Sequence, residues 1–393
     1  MLYAFELGRK KELCNAELLA VLGEENLVET NSSTSIFELD HINPQKILDR
    51  LGGTIKVIEI IDRLTFSDLE SSLQNLLQNF FKGHTGKIQF AFSLCGFSSP
   101  EEINIKHFLN FLKIFLKSLG HSSRFVNTNF ENSKPAAIYR ARVIEKGIDI
   151  CLIKGKKDKE NDIFLGRSVA IQNIDSYSHR DYDKPRRDAR VGMLPPKLAQ
   201  IMINLALPDH SDNFTATIYD PFCGTGTILT EALLMGHHAA GSDINPRMIE
   251  YSKSNSGWLI KEYGLKQPSP HLFPKDVNQL SKNDFKEPID IIVTEGWLGT
   301  PTNRMPHERE RNQTFNEVMK LHSKWLKTVH PLLPKNAKIV LCLPAFRVTQ
   351  SKTERLTTFD QTARGYGYTV INTFLYDRSD QITAREIKVL QRI

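Results

Sequence analysis

Residues 216–236 read ATIYDPFCGTGTILTEALLMG, an apolar run, a glycine-rich turn and a second apolar run at helical spacing. The apolar run ending at Tyr219 reads as a strand. Asp220-Pro221 turns the chain, and Gly224-Thr225-Gly226 leaves backbone bare enough for close approach of a ligand. Thr227 suits the cap of a helix whose inward face is Ile228, Leu229, Ala232, Leu233 and Met235. A glycine pair at a strand-to-helix turn is weak on its own. Two later signals join it. The stretch GSDINP puts Asp243 at the end of the next strand, 17 residues after Gly226, where an acid can take both hydroxyls of a ribose. HLFPKDVN puts Asp276 just past a third strand, placed to accept an adenine amino proton.

These three turns lie in a segment of alternating elements. From 193 onward the pattern predicts helices at 195–206, 227–236, 246–263, 313–331 and 351–366. It predicts strands at 215–219, 238–242, 270–273, 289–293 and 337–343, with two more closing the chain. Alternation at these lengths argues for an α/β domain with a mostly parallel, seven-stranded sheet covered on both faces. Ligands of such sheets sit beyond the C-terminal strand ends. A dinucleotide would want a third glycine where Leu229 stands, and Asp220 would repel a pyrophosphate. A cofactor with a cationic sulfonium and a zwitterionic tail suits that acid better, so S-adenosylmethionine fits better than NAD. The helix N-terminus favours the tail carboxylate.

The first ~75 residues alternate strand-like YAFEL, SIFEL and TIKVIEII with helical stretches at 15–22 and 67–81, the pattern of a small α+β unit. A second unit starts at KIQFAFSLCGF. It continues through a helix carrying Ile105, Phe108, Leu109, Leu112, Phe115, Leu116 and Leu119 at helical spacing. AAIYRARVIEKGIDICLIKGKK reads as two short strands about a Lys-Gly turn, and DIFLGRSVAIQN as another strand. The polar stretch 175–192 breaks all periodicity and reads as the connection into the second half.

Composition narrows the class. The chain has 393 residues, 40% hydrophobic and 24% charged, with a formal net charge of +6, a weak tilt towards a polyanionic partner. No apolar run approaches the roughly 20 residues of a membrane span, so no membrane association is expected. An acid and a basic cluster come too early for a secretory signal. Cys14, Cys95, Cys151, Cys223 and Cys342 are scattered and form no CxxC pair, so neither a metal site nor a disulfide scaffold is expected, which favours the cytoplasm.

DPFCGTGTILTEA with GSDINP resembles the cofactor-binding half of class I methyltransferases, a Rossmann-like fold. The lead-in LGRSVAIQNIDSYSHRDYDKPRRDARVGMLPPKLAQIMINLA, residues 165–206, resembles that of the THUMP-domain tRNA guanine-N2 methyltransferases. The resemblance is strong over 164–243 and only architectural before that. It implies a ferredoxin-like unit at 1–75, a THUMP-like RNA-binding domain at 76–170 and a methyltransferase domain at 171–393. It also implies that Asp220, Pro221, Phe222, Cys223, Gly224, Thr225 and Gly226 hold the methionine moiety of S-adenosylmethionine. Asp243, with Ile244 and Asn245, would take the ribose. Asp276, with Val277, would take the adenine. Pro195 and Pro196 would start a helix shielding the pocket. The implied substrate is a guanosine amine in tRNA near position ten. A small protein activator subunit stays open as a further partner.

In that superfamily the fourth strand ends in an acid or Asn, two prolines and an aromatic residue. Here the stretch is DIIVTEGWLG, 290–299. Thr294 closes the strand and is expected, with Glu295 and Trp297, among the catalytic residues; Glu295 takes the acid position, Gly296 and Trp297 replace the prolines, and Leu298 stands at the aromatic position. An exocyclic amine is a poor nucleophile, and an acceptor pulling on its N–H bonds helps while a ring stacks on the base. Glu295 can accept, and Trp297 can stack one residue early. Losing the prolines weakens preorganisation, so a protein that binds the cofactor with little or no activity is the rival reading, together with transfer to another acceptor such as rRNA or DNA. Basic clusters suited to RNA are Lys154, Lys156 and Lys157 with Lys159, and Arg180, Arg186, Arg187 and Arg190 with Lys184, near Tyr177 and Tyr182. Arg304, Arg309 and Arg311 in TPTNRMPHERERN could close over substrate.

Overall fold

The computed structural model describes residues 1–97, 102–156, 162–188, 194–302, 304–349, 352–378 and 381–393. The chain divides into two compact units, Met1–Asp175 and Ser176–Ile393.

The N-terminal unit contains β1 (Leu2–Leu7), α1 (Lys11–Leu22), β2 (Leu27–Thr30), β3 (Thr34–Glu38), α2 (Pro44–Arg50), β4 (Thr54–Leu64) and α3 (Leu69–Phe80). It continues with β5 (Ile88–Cys95), α4 (Ile105–Ser118), β6 (Ser123–Phe125), α5 (Pro135–Ala141), α6 (Val143–Lys146), β7 (Gly147–Lys154) and β8 (Ile163–Ile171). One sheet, in the order β2-β3-β1-β4-β8-β7-β5-β6, runs through the whole unit. The β4–β8 pair, antiparallel from Lys56–Ile171 to Leu64–Ile163, joins the segments before and after residue 75 into one hydrogen-bonded layer. β5 pairs in parallel with β7 and β6. α4 buries Ile105, Leu109, Leu112 and Leu116 against Phe90, Ile150 and Leu73, while Phe108, Phe111 and Phe115 stay partly exposed. The stretch expected as two strands about Lys146-Gly147 is instead two helices followed by one strand. Pro135, without an N–H to lose, occupies the first helical turn, and helix holds to Lys146 before β7 begins.

The C-terminal unit, entered within α7 (Ile174–Tyr182), follows with α8 (Pro196–Ala206), β9 (Thr217–Asp220), α9 (Thr227–Leu234), β10 (His238–Asp243), α10 (Pro246–Tyr263) and β11 (His271–Pro274). Then come β12 (Ile291–Thr294), α11 (Glu308–Val329), β13 (Lys338–Arg347), β14 (Thr353–Glu354), α12 (Phe359–Gly365), β15 (Tyr368–Tyr376) and β16 (Thr383–Arg392). The sheet order is β11-β10-β9-β12-β13-β16-β15, with β14 beside β13. β9 to β13 are mutually parallel, and β16 is inserted antiparallel between β13 and β15. This is the expected mostly parallel seven-stranded sheet, with the short β14 appended. The chain leaves β9 towards one edge and returns on its other side at β12, so the switch point lies between those two strands.

Three boundaries differ from expectation. α11 starts five residues early, because the Glu310 carboxylate accepts the His307 amide (2.7 Å) and closes the first turn. α12 is confined to 359–365, after β14. The polar stretch after 175 forms helix α7, held by buried Tyr177 and Arg180 rather than by an apolar stripe. Along α11, Phe315, Val318, Trp325, Leu326 and Val329 are buried against β12 and β13, each such side chain contributing about 1.5–3 kcal/mol. The five cysteines are buried free thiols. Among the described residues no helix is long and apolar enough to cross a membrane, and no three His, Cys, Asp or Glu side chains group as metal ligands.

Candidate active site

The C-terminal ends of β9, β10 and β12 meet at the switch point. β9 delivers Asp220, only 2% exposed, whose Oδ1 accepts the Thr294 hydroxyl (2.7 Å) and the Phe222 amide (3.1 Å). The glycine turn and the strand-four loop are thus tied directly together. Burial pushes the Asp220 carboxyl up to about 7; hydrogen bonds from Thr294 and Phe222 oppose the rise, and Asp243 and Glu295 add to it. Gly226 has φ +85°, and a Cβ there would sit 2.7 Å from Ser252 Oγ, so only glycine lets the turn pack on α10. Above Gly224 the space is open, the nearest atom to an added Cβ being Phe222 O at 4.0 Å. A ligand can therefore lie against this backbone.

Around the turn the supporting contacts are specific. Asp243 accepts the Gly224 amide (3.1 Å) through Oδ2 and the Asn245 amide (2.9 Å) through Oδ1. Burial raises its pKa, and those two amides oppose the rise. Ile244 is 74% exposed beside it, an apolar plate at a strand end. Asn245 caps α10 by accepting the Arg247 amide, with Pro246 in the first turn. Asn255 on α10 donates to both Thr225 O (2.8 Å) and Arg186 O (2.9 Å). Asp276 accepts from the Asn278 amide and side chain, both at 2.9 Å, and Val277 is buried. Pro221 lends its carbonyl to Ser242 Oγ (3.4 Å), Cys223 donates its amide to Ser242 O (2.9 Å), and the Phe222 ring meets Trp325 edge-on.

Glu295 is held from a distant strand. Its Oε1 accepts from Arg385 Nε on β16 at 2.6 Å, and Arg385 also donates to Gln381 (2.9 Å). Gly296 has φ +70°, a conformation closed to proline, so this loop follows a different path from the two-proline pattern. The half-buried Trp297 packs against the core cluster that contains Trp325 and Phe359. Behind Gly296 lies fully buried His322, whose Nδ1 accepts from Trp325 Nε1 (2.8 Å). Burial pulls its pKa down to about 3. Indole N–H can only donate, so the neutral imidazole carries its proton on Nε2.

Several expected roles change. Thr294 is completely buried and spends its hydroxyl on Asp220, which makes it a positioning residue, not a catalytic one. Arg180, expected as an RNA contact, is instead buried in a two-pronged ion pair with buried Glu231 (2.8 and 3.2 Å) inside the unit. Lys184 is also buried, its Nζ 3.3 Å from Thr227 Oγ1 at the start of α9. Lys154 pairs with Glu102. Arg186 and Arg187 remain exposed, with Tyr251 and Tyr182 rings 5.7 and 5.2 Å from their guanidinium carbons, and Lys156 is exposed. Lys157, Lys159 and Arg190 lie outside the described residues. Arg304 pairs with Glu310, and Arg311 is buried against Glu354 (2.7 Å) on α11, so neither hangs over the strand ends as a loose loop cation. Arg385 and His322 carried no local sequence signal beyond the His322/Trp325 spacing of three.

Comparison with known proteins fits this geometry. Residues 184–357 match the family described as RMKL-like methyltransferase domain, and residues 110–254 match one described as DNA methylase. Over 155 residues, 39% of the chain, the sequence is 32% identical to a tRNA (guanine(10)-N2)-dimethyltransferase of Methanothermobacter thermautotrophicus. Over 166 residues, 41% of the chain, it is 32% identical to the protein of that name from Methanocaldococcus jannaschii. The matched segments span 40% and 44% of those relatives, less than half of their length. The crystal structure of TrmN from Thermus thermophilus superposes with a TM-score of 0.53 at 15% identity, covering 100% of both chains. That of a possible methylase from Clostridium difficile 630 gives 0.50 at 13%, covering 100% of this chain and 97% of the other. At such identities the likeness is one of fold, and the C-terminal unit has the class I methyltransferase fold.

Proposed function

We propose that this chain, whose residues 184–357 carry a methyltransferase domain, transfers a methyl group from S-adenosylmethionine to the N2 amine of a guanosine in tRNA. One observation carries the reading: the Thr294–Asp220 hydrogen bond, which sets the Gly-rich turn and the Glu295 loop side by side at the switch point. The segment shared with tRNA (guanine(10)-N2)-dimethyltransferases supports the choice of acceptor. An N-terminal THUMP-type RNA-binding unit and a cytoplasmic site of action belong to the same reading.

The residues suit this cofactor. The bare backbone over Gly224 would admit the methionine moiety, Asp243 would take the ribose hydroxyls and Asp276 the adenine amine, and exposed Ile244 would offer an apolar surface to the base. S-adenosylmethionine bound there supplies an activated methyl group on a positively charged sulfur. Glu295 accepts an N–H of the guanine amine; Arg385 engages one carboxylate oxygen and holds the other in place, so orientation is set before substrate arrives. Trp297 offers a ring for the extruded base.

Asp220 makes this testable by pH. Without ligand its carboxyl stays protonated in the folded chain up to about 7 but ionises from about 4 when unfolded, so stability falls as pH rises between those values. A bound cation favours the carboxylate. Cofactor affinity measured by calorimetry is therefore expected to climb towards pH 7, by up to ~10-fold per unit, and then level off. Asp220→Asn should lack that component; identical pH profiles for the two proteins would remove Asp220 from the cofactor site.

The rival, cofactor binding without transfer, draws on Gly296, whose backbone path departs from the two-proline pattern. The two are separated by incubating the protein with radiolabelled cofactor and total tRNA and digesting to nucleosides. Label in N2-methylguanosine is expected. Calorimetric binding with no label in any nucleoside supports the rival, and label in another nucleoside moves the acceptor.

A further inference from the structure

The N-terminal unit holds an aromatic ring in an unusual way. Asn129 and Phe130 are consecutive non-glycine residues with φ +54° and +56°, the left-handed region that bulky side chains avoid. Such a conformation persists only where the surroundings impose it. Here two asparagines do so. The Asn127 side chain accepts the Phe92 amide (3.0 Å) and donates to Phe92 O (2.8 Å) and Glu131 O (2.9 Å). The Asn132 side chain accepts the Leu94 amide (2.8 Å) and donates to Leu94 O (2.9 Å). Both amides clamp the loop to β5 as a strand would, and the turn they enclose carries Phe130.

The ring so held is not buried: Phe130 is 41% exposed. A core-filling phenylalanine would need no such backbone. Lys106 Nζ lies 5.4 Å from its centroid, the Phe125 ring of β6 is 5.8 Å away, and Lys113 Nζ lies 5.8 Å from Phe125. α4, which supplies both lysines, contains no acid, and Arg124 sits on the same edge strand; Glu131 is the acid of the loop. Rings interleaved with cations match bases interleaved with phosphates.

We propose that Phe130, with Phe125, Lys106 and Lys113, is an RNA contact in which Phe130 stacks on an unpaired base and the lysines take the flanking phosphates. This rests on the reading above that the substrate is RNA. A clamped, strained turn keeps the ring presented before RNA arrives, so little ordering cost falls on binding.

The test uses the full chain and a labelled tRNA pool in equilibrium binding across salt concentrations, with S-adenosylmethionine affinity and melting temperature measured in parallel. Phe130→Ala should weaken RNA binding by roughly 5- to 150-fold, the range for losing one base-on-ring stack, with cofactor affinity and melting temperature unchanged. Lys106→Ala/Lys113→Ala should flatten the log–log salt slope by about 1.4–1.8. Phe130→Leu should behave as Phe130→Ala; wild-type affinity in that variant would overturn stacking, and unchanged affinity and slope in all three would overturn the contact. Equal competition by poly-glutamate and RNA would overturn it in favour of an acidic protein partner. Methyl transfer by the wild type with RNA binding unaffected in the variants overturns this contact alone. RNA binding lost in the variants while the wild type transfers no methyl group overturns the enzymatic reading alone.

Discussion

Glu295→Gln is expected to slow methyl transfer by about 10²–10³-fold, measured in single turnovers with saturating cofactor, while calorimetric affinity for S-adenosylmethionine stays as in the wild type. The amide keeps the shape and one accepting oxygen but loses the charge that draws on the amine N–H. It also leaves Arg385, 4% exposed, without its carboxylate. Loss of stability must therefore be distinguished from loss of chemistry. Arg385→Met breaks the same pair from the other side and keeps a carboxylate at 295. It should melt lower, as Glu295→Gln does, yet retain more activity. If Glu295→Gln turned over at the wild-type rate, the carboxylate would have no part in the transfer and the strand-four loop would have to be reassigned.

Arg180→Met is expected to lower the melting temperature by roughly 6–20 °C. Removing one member of a buried ion pair strands the other charge and costs about 3–5 kcal/mol, which at ~2–4 °C per kcal/mol in a unit of this size gives that range. Glu231, 1% exposed, would be the stranded group; burial already raises its pKa, and Arg180 is what opposes that rise. Arg180 further donates to Ser176 (2.7 Å) and lies over the Tyr177 ring (4.4 Å), so packing is lost as well. Arg180→Met/Glu231→Leu should recover most of the loss. An exposed RNA-binding arginine behaves oppositely: its removal leaves the melting curve in place and weakens RNA binding. A calorimetric scan decides between them.

The contrast between Arg180 and Arg187 shows what a charge run conceals. In RDYDKPRRDAR both are cations among acids and tyrosines, and nothing local separates them. α7 turns Arg180 inward to Glu231, fifty-one residues on, while Arg187 stays exposed by Tyr182. Similarly, Pro135 and the two helices after it were hidden because AAIYRARVIEKG satisfies strand alternation and helix spacing about equally over so few residues.

The amino-acid order was enough for the parallel sheet, the Gly-rich turn after β9, the acids closing β9 and β10, and the acid just past β11. These are short-range properties: apolar period, turn residues and spacing along one chain. Tertiary structure alone decided that Thr294 serves Asp220, that Arg385 steadies Glu295 from 90 residues away, and that His322 backs Gly296. Those pairings depend on which strands become neighbours, and a parallel sheet brings together segments far apart in sequence. The direction in which a polar side chain finds its partner is therefore fixed only when the sheet closes around it.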